Sequence, residues 1–522
     1  MSRTRLWTNR YDGVRSRVRL WMSEHRWFAA VFAFGALLRL VAMLGYRPAL
    51  WFPDTYTYVV TALVPRPDLV RPAGYSMFLR LFEPLHSFAF VAFVQHLLGL
   101  ATAAMVYAAA LRLRAPRWAA TAAAAPVLLD AYQVELEHLL VSDTLFMFLV
   151  TAAVCLGLKR APGWRTGIVA GLLVAAATLT RSVGLPLFVV LGLWLLVRRA
   201  PGAAAMDPRR EVRARAVRAG VMLAAAAIPV IAYGGWFYAT YQRIGIVGAN
   251  GVFLYARTMS FADCSVMRPP PDTAVLCDPR PPELRPPSQE YIWAADSPLV
   301  VLPGITFSED NDDRAGRFAT LAIRSQPGDY LASMMSELAR TFSWGRPVYP
   351  DQEIYDYYEF PEKTPGPPGR YPAQVGRERA MQYEQGPIET RVVEPFAWTL
   401  RAYQDVARLP GAVLLVVLLA PPVVAGVRVA GVRVARARPW RAGPGGYREP
   451  GRALRAAGEW AWVLPWATAW MLLIMPPAVA EFDYRYVLPA VPPAFLAAAL
   501  AVRGRVQASG NAPAPGDELG SR

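Results

Sequence analysis

The sequence predicts a polytopic α-helical membrane protein of about ten transmembrane helices, with a mixed extracytoplasmic domain. Three observations predict it. Of the 522 residues, 54% are hydrophobic, and the mean hydropathy is positive. The apolar residues gather into runs of roughly 16–24, near the ~20 that cross a bilayer as a helix. The connections between runs alternate in charge. The net charge of +16 is therefore a topology signal. The arginines cluster in short segments between spans, a pattern of membrane orientation and not of nucleic-acid binding.

The elements follow in order. Residues 1–26 carry seven Arg against Asp12 and Glu24. The apolar run 27–46 is longer than a signal-peptide core, and no small-x-small cleavage pattern follows it. It reads as a retained first helix behind a basic cytoplasmic N-terminus. Further spans are expected at 87–111, 116–131, 142–158, 166–180, 184–197, 220–240, 409–427, 460–479 and 486–502. Alternation places "RLRAPR", "KRAPGWR", the Arg198–Arg218 loop, the Arg428–Arg455 loop and the tail on the inner side. The Arg198–Arg218 loop holds seven Arg against two acids, and Arg428–Arg455 holds eight Arg against Glu449. The positive-inside rule is met at each inner loop. Both termini are then cytoplasmic, and the chain is a multi-pass protein of the cell membrane. Residues 27–240 form a transmembrane module, 406–502 the C-terminal transmembrane helices, and 503–522 a disordered tail.

The segment 241–405 has no obvious span. It contains 22 of the 39 acids and 16 basic residues, and its length suits a small extracytoplasmic domain. Within it, "RFATLAIRSQPGDYLASMMSELARTFSW" has helical apolar spacing on both sides of Gln326-Pro327-Gly328. The halves fit either a membrane surface or an amphipathic pair packed on the domain. Cys264 and Cys277 stand in this segment at a spacing that, in an oxidising compartment, predicts a disulfide.

Three outer-facing places carry polar groups that a passive span does not need. The first is Asp54 in "WFPDTYTYVV", with Arg71 and Tyr75 downstream in "RPAGYSMFL". The second is "DAYQVELEHLLVSDTLF", which offers Asp130, Glu135, Glu137, His138 and Asp143. Glu137 and Asp143 are six apart, so a turn between them is needed before they can meet. The third joins Arg181 in "LTRSVGLP" to Glu481, Asp483, Arg485 and Tyr486 in "EFDYRYVLP". Carboxylates serve as general bases or hold a divalent cation. Arginine's planar fork suits a phosphate. Together they fit a substrate that is both phosphorylated and lipid-anchored. Structural readings stand beside these: Asp54 as a helix cap, Glu137 and His138 as a solvated helix end, Arg181 and Arg485 as partners that neutralise nearby acids or as headgroup anchors, and Tyr486 as an interfacial belt residue.

In order and sidedness, these pieces resemble the multi-spanning GT-C fold glycosyltransferases that use polyprenyl-phosphate sugars. Those include protein O-mannosyltransferases, the aminoarabinose transferase of lipid A and RgtA/B/C/D-like enzymes. The resemblance covers most of 27–502 and rests on "FPDTYTY", "RPAGYSMFL", "LEHLLVSDTLF", "LTRSVGLPL" and "RYVLPAVPP". It implies a hexosyl or pentosyl transferase that moves a sugar from a polyprenyl phosphate to an acceptor hydroxyl, with inversion, on the extracytoplasmic face. The acceptor is a cell-envelope glycan, a lipid or a protein. The resemblance implies Asp54, Glu137 and Asp143 as catalytic residues. It implies Arg71, Tyr75, His138, Arg181, Arg485 and Tyr486 as substrate-binding residues. No cofactor is implied with certainty. A divalent cation is the one candidate, and the first loop has a single Asp where a pair would hold a metal tightly. Two other functions fit the bare topology: a transporter or flippase of a lipid-linked saccharide, and a non-catalytic membrane assembly protein.

Overall fold

The computed structural model describes residues 23–159, 163–198, 207–366, 371–437 and 460–502. The basic stretch 1–22, most of the Arg428–Arg455 loop and the tail from 503 lie outside the described residues. A helix stands at each of the ten expected positions. The first part of the chain gives α1 (Arg26–Gly45), β1 (Tyr46–Arg47), α2 (Pro53–Leu63), α3 (Gly74–Phe82), α4 (Phe88–Arg112), α5 (Arg117–Leu129), α6 (Ala131–His138), α7 (Asp143–Gly157), α8 (Trp164–Thr180), α9 (Leu187–Val197) and α10 (Pro208–Tyr241). Then come α11 (Asn250–Thr258), α12 (Glu309–Ser325), α13 (Pro327–Arg340), α14 (Tyr371–Glu384), β2 (Arg391–Val392), α15 (Phe396–Gln404), α16 (Gly411–Ala437), α17 (Val463–Val479), α18 (Tyr484–Val487) and α19 (Val491–Ala501). Among the described residues, α1, α4, α10 and the Gly411–Arg428 part of α16 are long and apolar enough to cross a membrane by themselves. The chain is a multi-pass membrane protein. The other apolar helices are shorter, as α7, α8 and α17 show.

Local signals set the helix edges. Ser87 caps α4 by accepting from the Phe90 N–H at 3.2 Å, and Asp130 caps α6 by accepting from Tyr132 N–H at 3.2 Å. One edge departs from expectation. The helix expected at 220–240 begins at Pro208. Asp207 caps it and Pro208 occupies its first turn, a start signal that outweighs the polarity of the arginines that follow. Arg209, Arg210, Arg213, Arg215 and Arg218 are therefore helical. The last span also starts later than expected, at Val491, after α18 and a short 3₁₀ turn.

The helices pack around an alanine-rich core. Ala119, Ala120, Ala123 and Ala124 of α5 and Ala494, Ala497 and Ala499 of α19 are buried there. Small side chains let helix backbones approach closely, which favours association inside lipid. Large apolar residues point outward on α9, α10 and α16, including Val189, Ile228, Ile231 and Val416, as a lipid-facing surface requires.

One end of the bundle gathers the loops that matter. β1 pairs antiparallel with β2, Tyr46 opposite Val392. The Leu50 N–H donates to His138 O, and the Leu140 N–H donates to Leu50 O, each at 3.1 Å. Residues 241–405 are nearly all helix and loop among the described residues. Their one strand pairs outside the segment. α14 packs on α2, and α12 packs on α11. The expected pair of helices separates at Gln326–Pro327 into α12 and α13. α13 leans on α17 and exposes Leu331 and Met335. Cys264 and Cys277 form a disulfide beside a cluster built from Tyr255, Phe318 and Tyr291.

Candidate functional site

Asp54 stands at the second position of α2. The cap position belongs to Phe52, whose backbone is extended. Pro53 fits the first helical position because its missing N–H is not needed there. Thr55 ties this turn down. Its hydroxyl accepts from the Phe52 N–H at 3.1 Å and donates to Leu140 O at 2.9 Å. That bond links the loop after α1 to the stretch that carries Ser142 and Asp143. Asp54 is thus not the helix cap, and both of its oxygens meet guanidinium groups. Oδ1 pairs with Arg71, and Oδ2 lies 3.0 Å from Arg485 Nη1. Burial alone would push the Asp54 carboxyl up. The charges of Arg71 and Arg485 overcome this and hold it well below the usual carboxylate range.

Each arginine is aimed by its own support. Asp68 Oδ1 accepts from the N–H groups of Val70 and Arg71, at 2.9 and 2.8 Å, a turn that presents Arg71. Asp483 caps α18 by accepting from Arg485 N–H, and its Oδ2 accepts from Arg485 Nε at 3.1 Å. Arg181 follows the last turn of α8 in extended backbone, and its Nη1 donates to Asp143 Oδ1 at 2.5 Å. The Tyr486 ring lies within cation–π distance of two guanidinium groups, 4.7 Å from Arg181 and 5.2 Å from Arg485. Gly74 opens α3 against the end of α8: a Cβ there would stand 2.4 Å from Leu179 O. Asp54, Arg71, Asp143, Arg181, Arg485 and Tyr486 are brought together in this way. The side chains of Arg71, Arg181 and Asp54 are 19%, 15% and 13% exposed, so the cluster is largely but not completely buried.

Glu137, His138 and Tyr75 lie elsewhere. Glu137 is fully buried and accepts from Arg39 Nε at 2.8 Å, Arg39 Nη2 at 2.7 Å and Gln133 Nε2 at 3.0 Å; His96 Nδ1 is 3.0 Å away. None of these partners belongs to the Asp54 cluster. Arg39 also donates to the carbonyls of Gly35, Val127 and Leu128. His138 Nδ1 meets His96 Nε2 at 3.0 Å, and its Nε2 meets Tyr46 O at 2.6 Å. Burial, with His96 adding to it, lowers the His138 imidazole to about 3, so the ring is neutral. The turn expected between Glu137 and Asp143 is present, yet the two carboxylates face different partners. Tyr75 is buried, donates to Gln95 Oε1 at 2.7 Å and packs edge-on against Tyr58. Tyr58 in turn meets Ser142 Oγ at 3.2 Å.

A divalent cation fits this cluster poorly, because guanidinium groups occupy both Asp54 oxygens. Among the described residues, no group of three or more His, Cys, Asp and Glu is arranged to hold a metal ion. A cavity of about 160 Å³ flanks α2, with Trp51, Tyr56, Tyr357, Arg377 and Glu389 in its wall.

Sequence reasoning assigned no role to Arg39 or Tyr358, and it named Asp483 only as one of the acids beside Arg485 and Phe52 only as an interfacial ring. Arg39 carried a signal, since a charge within an apolar run needs a partner. Asp483 carried one too, two residues before Arg485. Phe52 and Tyr358 carried none, because contacts between distant aromatics leave no local pattern.

Residues 81–244 match the family model PMT, Dolichyl-phosphate-mannose-protein mannosyltransferase. The match spans α4 to α10 and includes Asp143 and Arg181. No curated protein matches the chain. Three solved structures are similar. The S. cerevisiae protein O-mannosyltransferase Pmt1-Pmt2 complex bound to the sugar donor shares 17% identity, over 46% of this chain and 36% of that one, with a TM-score of 0.35. The Archaeoglobus fulgidus oligosaccharyltransferase in the apo form shares 12%, over 91% and 50%, with a TM-score of 0.41. Archaeal oligosaccharyltransferase AglB from Archaeoglobus fulgidus, in complex with an inhibitory peptide and a dolichol-phosphate, shares 10%, over 92% and 50%, with a TM-score of 0.39. The chain spans at most half the length of these structures.

Proposed function

We propose that this chain is a membrane glycosyltransferase that moves a sugar from a polyprenyl-phosphate donor to an acceptor hydroxyl on the extracytoplasmic face. One observation carries the reading. Arg71, Arg181 and Arg485 converge on a partly exposed site that also holds an ionised carboxylate, Asp54, at the end of a helical bundle. The family match over 81–244 supports the same reading.

In the proposed reaction the donor's tail lies in lipid and its phosphate enters among the three arginines. The acceptor oxygen bonds to the anomeric carbon, and the anomeric C–O bond to phosphate breaks with inversion. The acceptor proton passes to Asp54, and polyprenyl phosphate leaves with the bonding electrons. Negative charge grows on that phosphate at the edge of a low-dielectric zone, where each fixed donor is worth roughly 3 kcal/mol. Asp54 begins as a carboxylate because its arginines stabilise the charge. A phosphate that draws Arg485 and Arg71 toward itself restores basicity to Asp54 when the proton must move. Asp143 holds Arg181, and Tyr486 supplies its ring face to two guanidinium groups. Glu137 and His138 take a structural role. The acceptor, whether glycan, lipid or protein, approaches beside α2, where the cavity bounded by Trp51 and Tyr357 lies.

The test uses membranes with and without the chain, supplied with radiolabelled polyprenyl-phosphate hexose or pentose and a cell-envelope acceptor fraction. Label in acceptor only when the chain is present is the expected result. Movement of the lipid across reconstituted vesicles with no transfer would overturn the reading in favour of a flippase.

A further inference from the structure

The residues 241–405 supply no catalytic motif of their own, yet one of their side chains reaches the arginine cluster. Tyr358 is buried, and its hydroxyl donates to Asp483 Oδ2 at 2.6 Å. The same oxygen accepts from Arg485 Nε at 3.1 Å. The Tyr358 ring stacks on Phe52, with centroids 5.5 Å apart and planes inclined by 12°. Arg485 lies over the Phe52 ring at 4.4 Å. The contacts close a ring: Arg485 to Asp483, Asp483 to Tyr358, Tyr358 to Phe52, Phe52 back to Arg485. Outside that ring, Arg485 Nη1 points to Asp54.

We propose that Tyr358 is a positioning residue for Arg485, through which the outer segment sets how the site grips the donor phosphate. This rests on the reading of the cluster as a polyprenyl-phosphate site. The physical reasoning runs through Asp483. With the Tyr358 hydroxyl in place, Asp483 Oδ2 shares its charge between two donors, and the Arg485 fork stays turned toward Asp54. Without it, Oδ2 keeps Arg485 Nε alone, pulls it harder and turns Nη1 away from the site. Phe52 limits this motion from the other face, and Tyr358 buttresses Phe52 as well. A hydrogen bond to a charged group is among the stronger single contacts.

The experiment is a double-mutant cycle on the full chain in detergent, with Tyr358→Phe, Asp483→Asn and both together. Tyr358→Phe keeps the ring stack, and Asn keeps the α18 cap. The probe is undecaprenyl phosphate, and its Kd is measured beside each variant's thermal midpoint. Tyr358→Phe is expected to weaken binding about tenfold, the size of one charge-assisted hydrogen bond. In the Asp483→Asn background the same change is expected to do nothing, because the link it acts through is gone. A full tenfold effect in both backgrounds would overturn the proposal and make Tyr358 a packing residue. Unchanged binding in Tyr358→Phe would overturn it as well. Failure of the unsubstituted chain to bind the probe at all would instead overturn the underlying reading of the site.

Discussion

Glu137 separates a structural from a catalytic role more sharply than any other residue here. The perturbation is Glu137→Ala, with Glu137→Gln beside it. The carboxylate is fully buried, takes three hydrogen bonds from Arg39 and Gln133, and lies within hydrogen-bond distance of His96. Removing it leaves the Arg39 guanidinium buried without its counter-charge. Breaking one side of a buried pair costs about 3–5 kcal/mol. Gly99 adds to the sensitivity, since its Cα faces the carboxylate so closely that a Cβ would stand 1.9 Å from Oε1. In a chain of this length, a loss of that size lowers the thermal midpoint by roughly 3–4 °C. Gln keeps the shape and two partners, so its cost is expected to fall between wild type and Ala. The assay is the unfolding midpoint of purified protein, with transfer measured per folded molecule. Lowered stability with near-normal transfer per folded molecule is the expected outcome. Unchanged midpoints with transfer lost would refute the reasoning and return Glu137 to the catalytic set.

Two further predictions follow from the same geometry. Burial pushes the Glu481 carboxyl up to about 8, and the nearby Glu337 and Asp483 add to it. Glu481 is therefore neutral at pH 7 in the folded chain. Folded protein binds the proton that unfolded chain releases above about 4.5, so this group's contribution to stability falls as pH rises from there to about 8. Its ionisation also places charge beside Asp483 and repels a phosphate. Donor KM is expected to rise above about pH 8 in wild type and to stay flat in Glu481→Gln, as a pH series would record. The Cys264–Cys277 bond closes a loop of 13 residues, worth about 3 kcal/mol in the chain-entropy model. Replacing both with Ser is expected to lower the midpoint and to remove its sensitivity to reductant, with the transfer rate at low temperature little changed.

Helix positions were legible because bilayer thickness sets the length of an apolar run. The run beginning at Trp27 and the one ending at Leu111 each became a helix within a residue or two of expectation. The start of α10 was hidden, because Asp207-Pro208 opens a helix inside an arginine-rich stretch where polarity suggests a loop. The candidate site was legible as a list of residue types and not as a set of contacts. Asp54 and Arg485 are 431 positions apart, and nothing local announces such a pair. "ELEH" read as a polar outer loop, yet α6 turns inward and buries Glu137 and His138 against Arg39 and His96. That partnership depends on where α1 and α4 pack, which residue spacing does not encode. The disulfide was legible because two cysteines so near in sequence have few other partners.

The central claim is that Asp54 takes the acceptor's proton while arginines hold the phosphate. Asp54→Asn tests it most directly, because Asn keeps the shape at the start of α2 and is a poor base. The measurement is single-turnover transfer from a labelled polyprenyl-phosphate sugar, with donor Kd taken in parallel. A fall in rate of about 10²-fold or more, with donor binding equal or tighter as Arg71 and Arg485 are released, is the predicted result. Transfer at the wild-type rate with Asn at position 54 would contradict the account.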